Sequence, residues 1–551
     1  LNNWLLGKKK AIFAATLVLL ISVPSIASAA QQEAYPNTMV PLRVIAESLG
    51  AQLEWEGKTS TITLVRDTST IVIKVGEDQA TINGSQVKLD DEVAIIDERA
   101  FVPKSFIPLA LGSKVEWNDS TQSIDFEVGD YKGRASAFAH SLFQGDVQSV
   151  RSNMNEVLKQ SLTEETLGIF SQQISAGFGQ PSKRISAILD TNLVHTNVNL
   201  VYETAQSSFE IVVRFDSSGY VDDLGIMPIA PAIAFSKPEY DFNTYTEKEV
   251  VIGEGTLALP GTLTVPAGAG PFPVVVLVHG SGPHDQNSTI GGTQVFKDFS
   301  VGLASQGIAV LRYDKVSRVH TAKVSTQPEF TLMNESVDDV IKAIELLKRT
   351  EEVDASQIFI AGHSQGGYVM PLIIDNAKKE DIAGVILLSA PSEQLTDVLI
   401  EQQEQALIRV RELAFPEAFI AQQEQAVTMW TSVADLVQNP DFSTENLPTN
   451  FPIPPAYWWY EQRDYVPSEL AKEQAGPMLI LQGENDWQVS MNQFEGWRKA
   501  LLHRSDVEFI SYPNVNHLLT EYEALSIGME YGNPANVSAD IIQDIIDWIH
   551  S

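Results

Sequence analysis

Over residues 243–551, short unbroken apolar runs alternate with stretches in which apolar residues recur every third or fourth position. The runs at 274–278 (Val-Val-Val-Leu-Val), 308–312, 357–361 and 478–482 read as strands buried on both faces. Between them 295–306 reads as a helix. So does 334–348, where Val337, Val340, Ile341, Ile344 and Leu347 share one face. Strand–helix alternation of this kind predicts a mostly parallel sheet flanked by helices. The alternation lapses between about 391 and 474. There 393–437 reads as helix rich in Gln and Glu, and 453–460 is a cluster of prolines and aromatics that includes Trp458, Trp459 and Tyr460. Helices inserted between two strands at this point predict a cap over the sheet.

The first part of the chain has a different texture. Residues 40–64 (VPLRVIAESLGAQLEWEGKTSTITL) and 102–126 (VPKSFIPLALGSKVEWNDSTQSIDF) align without a gap; Val40/Val102, Pro41/Pro103, Leu49/Leu111, Gly50/Gly112, Glu54/Glu116, Trp55/Trp117 and Ile62/Ile124 are identical pairs. Each copy predicts a short helix closed by its glycine, which tolerates a left-handed cap, then two strands around a turn. The stretch between the copies alternates as strands do and carries a hairpin signal at Asn83-Gly84. This doubled motif, over residues 35–128, resembles the small α+β module named after the N-terminal domain of copper amine oxidases. No His or Cys occurs between Gln31 and Ala139, so the soft ligands of a copper site are missing from it. Attachment to a cell-wall polymer or to a surface protein, or a spacer role, are the readings open to it. Residues 131–228 predict a second small α+β domain, with helices over 131–144, 147–162 and 163–176 and strands at 193–202 and 208–215. Pro228, Pro231 and Pro238 mark 229–242 as a linker.

Composition adds three constraints. Lys8, Lys9 and Lys10 precede an apolar run at 11–23, which Pro24 breaks and Ala27-Ser28-Ala29 follows. That order reads as a secretory leader over 1–29, cleaved after Ala29, leaving a mature chain without a transmembrane span. The chain is accordingly expected outside the cell, secreted or at its surface. A net charge of −34 excludes nucleic acid as a partner and suits a well-solvated surface. With 0 cysteines, neither disulfides nor thiolate chemistry are available.

The candidate chemistry lies in the last block. The run at 357–361 leads into Gly362-His363-Ser364-Gln365-Gly366, and a helix follows over 367–375. Strand, Gly-x-Ser-x-Gly and helix in that order set a serine on a tight turn; its neighbours two positions away lack side chains so that strand and helix approach closely. Ser364 is the candidate nucleophile. A hydroxyl needs a base. His517 lies in a loop just past the strand 507–512, whereas His503 ends a helix and His550 sits on the last one. The carboxylate that orients the base should follow the strand 478–482, where Glu484 and Asp486 both qualify. Two backbone N–H groups should receive the oxyanion: that of Gln365, and one from the loop after 274–278, taken as Ser281. His279, His363, Trp458, Trp459 and Tyr460 are candidates to line the substrate pocket; a loop-shaping role is the other reading of His279, and fixing the cap to the core that of the three aromatics. His284 reads as cleft-lining, His320 as a loop residue, and His140 and His195 as structural.

Five segments then converge: His279-Gly280-Ser281-Gly282-Pro283, Arg312-Tyr313-Asp314-Lys315, Gly362-His363-Ser364-Gln365-Gly366-Gly367, Gly483-Glu484-Asn485-Asp486 and Asn516-His517. Through them residues 243–551 resemble bacterial α/β-hydrolases of the esterase, prolyl-oligopeptidase and serine-aminopeptidase type. The resemblance implies Asp486 rather than Glu484, through a Gly-x-x-Asp-x-x-Val pattern. It implies a triad of Ser364, Asp486 and His517, no metal or organic cofactor, and a small-molecule acyl ester as substrate. Peptidase or acyltransferase activity is the alternative within enzymes; a cell-surface binding protein on a relic hydrolase fold is the alternative outside them. One departure stands out: Val316-Ser317-Arg318-Val319 follows Lys315 where the family often has Arg-Gly and further glycines. The expected architecture is multidomain, two small α+β domains followed by a capped α/β-hydrolase.

Overall fold

The computed structural model describes residues 39–118, 123–127, 129–229 and 233–551; the leader-like segment 1–29 lies outside the described residues. In the first module the two copies of the repeat face each other. Strand Met39–Pro41 pairs antiparallel with Arg99–Pro103, and Val40 lies opposite its own counterpart Val102. Gly50 and Gly112, which follow the two short helices, both have positive φ (80° and 60°), as a left-handed helix end requires. A five-stranded antiparallel meander runs from Gln52 to Lys88. Its alternate residues Ile62, Leu64, Ile71, Ile73 and Ala80 join both helices in one core.

The second domain has four helices, Tyr131–Gln144, Val147–Ser152, Glu156–Ser161 and Glu164–Phe178, followed by four antiparallel strands. Where the periodicity suggested one helix over 147–162 there are two. Asn155 ends the break between them, because its side chain accepts the N–H of Leu158 and starts a new helix. Strands Pro181–Thr191 and Val221–Pro228 extend the sheet beyond the two that the pattern suggested. Asp67 of the first module clamps Arg184 of this sheet with two bonds of 3.0 and 2.8 Å.

The last domain is built on an eight-stranded sheet: β1 (Tyr245–Ile252), β2 (Leu259–Pro266), β3 (Phe272–Val278), β4 (Ala309–Tyr313), β5 (Val353–His363), β6 (Gly384–Leu388), β7 (Met478–Gly483) and β8 (Val507–Tyr512), in the spatial order β1-β2-β4-β3-β5-β6-β7-β8. β2 runs antiparallel to both its neighbours, β1 and β4, and all the other pairs are parallel. The apolar run of β3 explains its central place. Val274 and Val276 enter the core on one face, Val275 and Leu277 the core on the other. Each such side chain contributes about 1.5–3 kcal/mol by burial. The strand order reverses around β3, which puts the carboxyl ends of β3 and β5 at the switch point of the sheet.

Between β6 and β7 lie helices Leu395–Glu412 and Glu417–Gln438, then Ala456–Glu461 and Pro467–Ala471. The long helical stretch is thus broken near Ala414, which has a φ of 52°, and Pro416 starts the second helix, since it cannot continue the first. The segment read as a linker is tied to the hydrolase sheet's surroundings: Tyr240 Oη donates to the carbonyl of Val537 at 2.8 Å and Ser236 Oγ bonds Asn536 at 2.7 Å. Among the described residues no helix is long and apolar enough to cross a membrane.

Candidate active site

β5 ends in the serine turn. Ser364 has φ 56° and ψ −119°, a conformation that costs a non-glycine residue about 1–3 kcal/mol and persists only where its surroundings impose it. The glycines on either side make it possible. A Cβ on Gly362 would lie 2.3 Å from the carbonyl oxygen of Gly366, and one on Gly366 would lie 2.2 Å from that of Val278. β5, β3 and the following helix therefore approach to a distance that no side chain permits. The Ser364 N–H is held by the carbonyl of Leu388 at 2.9 Å.

The loop after β3 comes against this turn. A Cβ on Gly280 would sit 3.3 Å from Ser364 Cβ, and the Ser281 N–H belongs to the next peptide of that loop. Gln365 is the first residue of its helix, and its N–H has no partner within it. Among the described residues neither N–H has an acceptor in the protein. Both are free donors, one on the residue after Ser364 and one in the loop packed against its turn.

The loops after β7 and β8 supply the other side. Gly483 lets them meet, because a Cβ there would lie 2.2 Å from the carbonyl oxygen of Val515. Asp486 is buried. Its Oδ1 accepts the N–H groups of Gln488 and Val489 at 2.8 and 3.0 Å, and its Oδ2 lies 2.7 Å from His517 Nδ1. Glu484 is exposed and takes the hydroxyl of Ser511 at 2.8 Å instead. The side chain of Asn516 accepts the N–H of Leu518 at 3.0 Å and of Thr520 at 3.2 Å, which fixes the loop that carries His517. The ring of His517 packs 4.9 Å from that of His363, the chain neighbour of Ser364, and the carbonyl of His517 lies 2.8 Å from His363 Nε2. Burial, then the neighbouring His517, push His363 down to about 3, so it is a neutral donor at this place.

Residues 269–523 match the family model described as serine aminopeptidase, S33, and residues 26–126 match that of the copper amine oxidase N-terminal domain. The C-terminal domain has the α/β-hydrolase fold. The chain is 28% identical over 425 residues to esterase EstD of Thermotoga maritima, covering 76% of this chain and 96% of that protein. Among solved structures it is similar to Est1E from Butyrivibrio proteoclasticus (16% identity, TM-score 0.35, 55% of this chain and 99% of that one) and to the Pyrococcus furiosus esterase Pf2001 (14%, TM-score 0.37, 58% and 97%).

Several pocket candidates in the α/β-hydrolase have other duties. His279 is 2% exposed. Its Nε2 meets the carbonyl of Tyr313 at 2.5 Å and its ring stacks on Phe296 at 4.7 Å, so it shapes the loop and does not line an open pocket. His363 is equally buried against His517. Trp459 and Tyr460 are buried within the cap. Trp459 Nε1 donates to Ile453 and Tyr460 Oη to Leu436, among Phe451, Phe442 and Trp430; they hold the cap together. Trp458 alone of the three turns to the sheet domain, where its Nε1 donates to Glu335 at 3.1 Å.

Sequence reasoning missed two cations. Arg409 of the first cap helix donates to the carbonyls of Asn485 and Ser526 (both 2.8 Å) and of Asp486 (3.1 Å), pinning the acid loop to the cap. Lys315 is buried next to the oxyanion loop. Arg409 stands in no local pattern, and Lys315, although it closes the Arg312–Lys315 segment, shows its part only from the groups it reaches. The departure after Lys315 also has a cause: Val316 and Val319 are buried, and the segment docks on the second domain. There Asp223 accepts the N–H groups of Ala322 and Lys323 at 3.0 Å each and Arg214 bonds the carbonyl of Arg318 at 2.8 Å. His195, Asp222 and His320 bring potential ligand atoms within 4.8 Å of one another at this junction. Asp222 already carries the ammonium of Lys323 at 2.7 Å, so the protein supplies its own cation.

Proposed function

We propose that this protein is an exported serine esterase that works through an acyl-enzyme on Ser364. The observation that carries the reading is the 2.7 Å contact between His517 Nδ1 and Asp486 Oδ2, with the His517 ring packed 4.9 Å from that of His363, the chain neighbour of a serine held at positive φ. The esterase named among its relatives supports the class of substrate. In this reading Ser364 Oγ attacks the acyl carbonyl and His517 Nε2 takes its proton. Asp486 holds the imidazole in the tautomer with the proton on Nδ1 and stabilises the imidazolium. The Ser281 and Gln365 N–H groups receive the charge that develops on the carbonyl oxygen. His517 then protonates the leaving alcohol, and a water repeats the sequence to release the acid. Export rests on the leader-like order of residues 1–29, and attachment to wall polymer or a surface protein through 35–128 is the role proposed for the first module.

A fluorophosphonate reacts only with an activated serine. It should label Ser364, and Ser364→Ala should abolish both the label and the turnover of p-nitrophenyl acetate. Near-normal turnover by that variant would reject the assignment. The match to a family described as serine aminopeptidases favours a second reading, a peptidase. A panel of short acyl esters against aminoacyl amides separates the two.

A further inference from the structure

We propose that Lys315 is the positioning residue of the oxyanion hole, holding both of its halves and, through Glu335, tying them to the cap. The inference rests on the esterase reading above. Lys315 follows β4, and its side chain is 2% exposed. An ammonium has three donors, and three acceptors meet it: the carbonyl of Gly280 at 2.8 Å, the side-chain oxygen of Gln365 at 3.0 Å and Glu335 Oε1 at 2.7 Å.

One of these acceptors belongs to the peptide, and another to the residue, that presents a free N–H group. The Gly280 carbonyl and the Ser281 N–H are opposite ends of one planar trans peptide. A cation that fixes the carbonyl on one side aims the N–H on the other, and by drawing electron density to the oxygen it makes that N–H a stronger donor. The grip on the Gln365 side chain fixes the residue whose own N–H is the second donor. One charged group thus sets the spacing between donors that come from β3 and β5 and that no hydrogen bond joins directly.

Glu335 makes the arrangement permanent and extends it. Its second oxygen accepts from Trp458 Nε1 at 3.1 Å, so Trp458, Glu335, Lys315 and Gly280 form one chain of bonds from the cap to the oxyanion loop. Glu335 sits in a π-helical turn, Met333–Val337, a local widening often found at functional sites. An ion pair serving stability alone has no need to divide its cation between the two donor residues.

The test uses the full-length protein and p-nitrophenyl acetate. Lys315→Met leaves the largely covered Glu335 without its cation, which endangers folding, so the main arm is the neutral pair Lys315→Met/Glu335→Gln, which keeps an acceptor for Trp458. Glu335→Gln alone is the milder arm. The double variant should lose about 100-fold in kcat, the scale of one displaced oxyanion donor, with KM within threefold. Its affinity for a trifluoromethyl ketone, whose serine adduct carries an oxyanion, should fall by the same factor as kcat/KM. Affinity for the matching methyl ketone should stay unchanged. Glu335→Gln should lie between the double variant and the wild type. A double variant with kcat within threefold of wild type overturns the inference. So does a loss of kcat that leaves trifluoromethyl ketone binding intact. Fluorophosphonate labelling of the wild type keeps the two readings apart: no label on Ser364 sinks the esterase reading, whereas a label together with undisturbed Lys315 variants sinks only this one.

Discussion

Replacing Asp486 by Asn tests the site through the position of a single proton. Oδ1 of Asp486 receives two backbone N–H groups, at 2.8 and 3.0 Å. An amide in this place must keep its oxygen there, because turning its NH2 towards two N–H donors would cost about 1–3 kcal/mol for each bond lost. The NH2 therefore takes the Oδ2 position, where it faces His517 Nδ1 and also Gln482 Nε2 at 3.4 Å. His517 can then only accept at Nδ1, and its proton moves to Nε2, the nitrogen that has to accept from Ser364. The base is blocked although shape and volume are unchanged. In steady-state hydrolysis of p-nitrophenyl acetate, Asp486→Asn should lower kcat by about 10⁴-fold, or ~5.5 kcal/mol, with little change in KM. Glu484→Gln is the matched control; that side chain is exposed and bonds only Ser511, so kcat should stay within about twofold, as for other surface substitutions. Asp486→Asn within tenfold of wild type, or a large loss in Glu484→Gln, would refute the reasoning.

Gly366→Ala puts a Cβ 2.2 Å from a backbone carbonyl of β3 and should leave little soluble protein; a folded variant with normal melting temperature would contradict the steric account of the turn. Arg409→Met removes the donor shared by the carbonyls of Asn485, Asp486 and Ser526; it should cost about 2–4 kcal/mol in urea unfolding and lower kcat about tenfold as the acid loop loosens. His363 is held down to about 3 by burial first and His517 second. The unfolded ring binds a proton below about pH 6.5 that the folded ring cannot, so this stability is full above pH 6.5 and is lost as pH falls towards 3, at about 1.4 kcal/mol per pH unit. Urea midpoints at pH 7, 6 and 5 should therefore fall less steeply in His363→Gln than in the wild type, and equal slopes would remove His363 from the account.

The serine turn was legible because its cause is local. Gly362, Ser364 and Gly366 stand within five positions, and a steric demand on adjacent backbone leaves a mark in adjacent letters. The Gly-x-x-Asp-x-x-Val segment is similar: Gly483 lets Val515 approach, and the Val489 N–H is spent on Asp486. Strand Val221–Pro228 was not legible. It carries Asp222 and Asp223, which read as surface residues until Lys323 and the N–H groups of Ala322 and Lys323 are brought to them from another domain. Strand Pro181–Thr191 was hidden for a different reason. As the outer strand of its sheet it is largely exposed, so its alternation is weak. His279 and the cap aromatics carried two readings each, because an aromatic residue reads the same whether it faces a substrate or a neighbouring helix; the structure gives His279, Trp459 and Tyr460 the packing role. By itself the sequence determined the nucleophile's turn, the parallel sheet and the doubled first module. That Lys315 and Arg409 grip loops far from them in the chain, only tertiary structure decided: an ion pair or a charged hydrogen bond depends on distance in space, and no spacing along the chain records it.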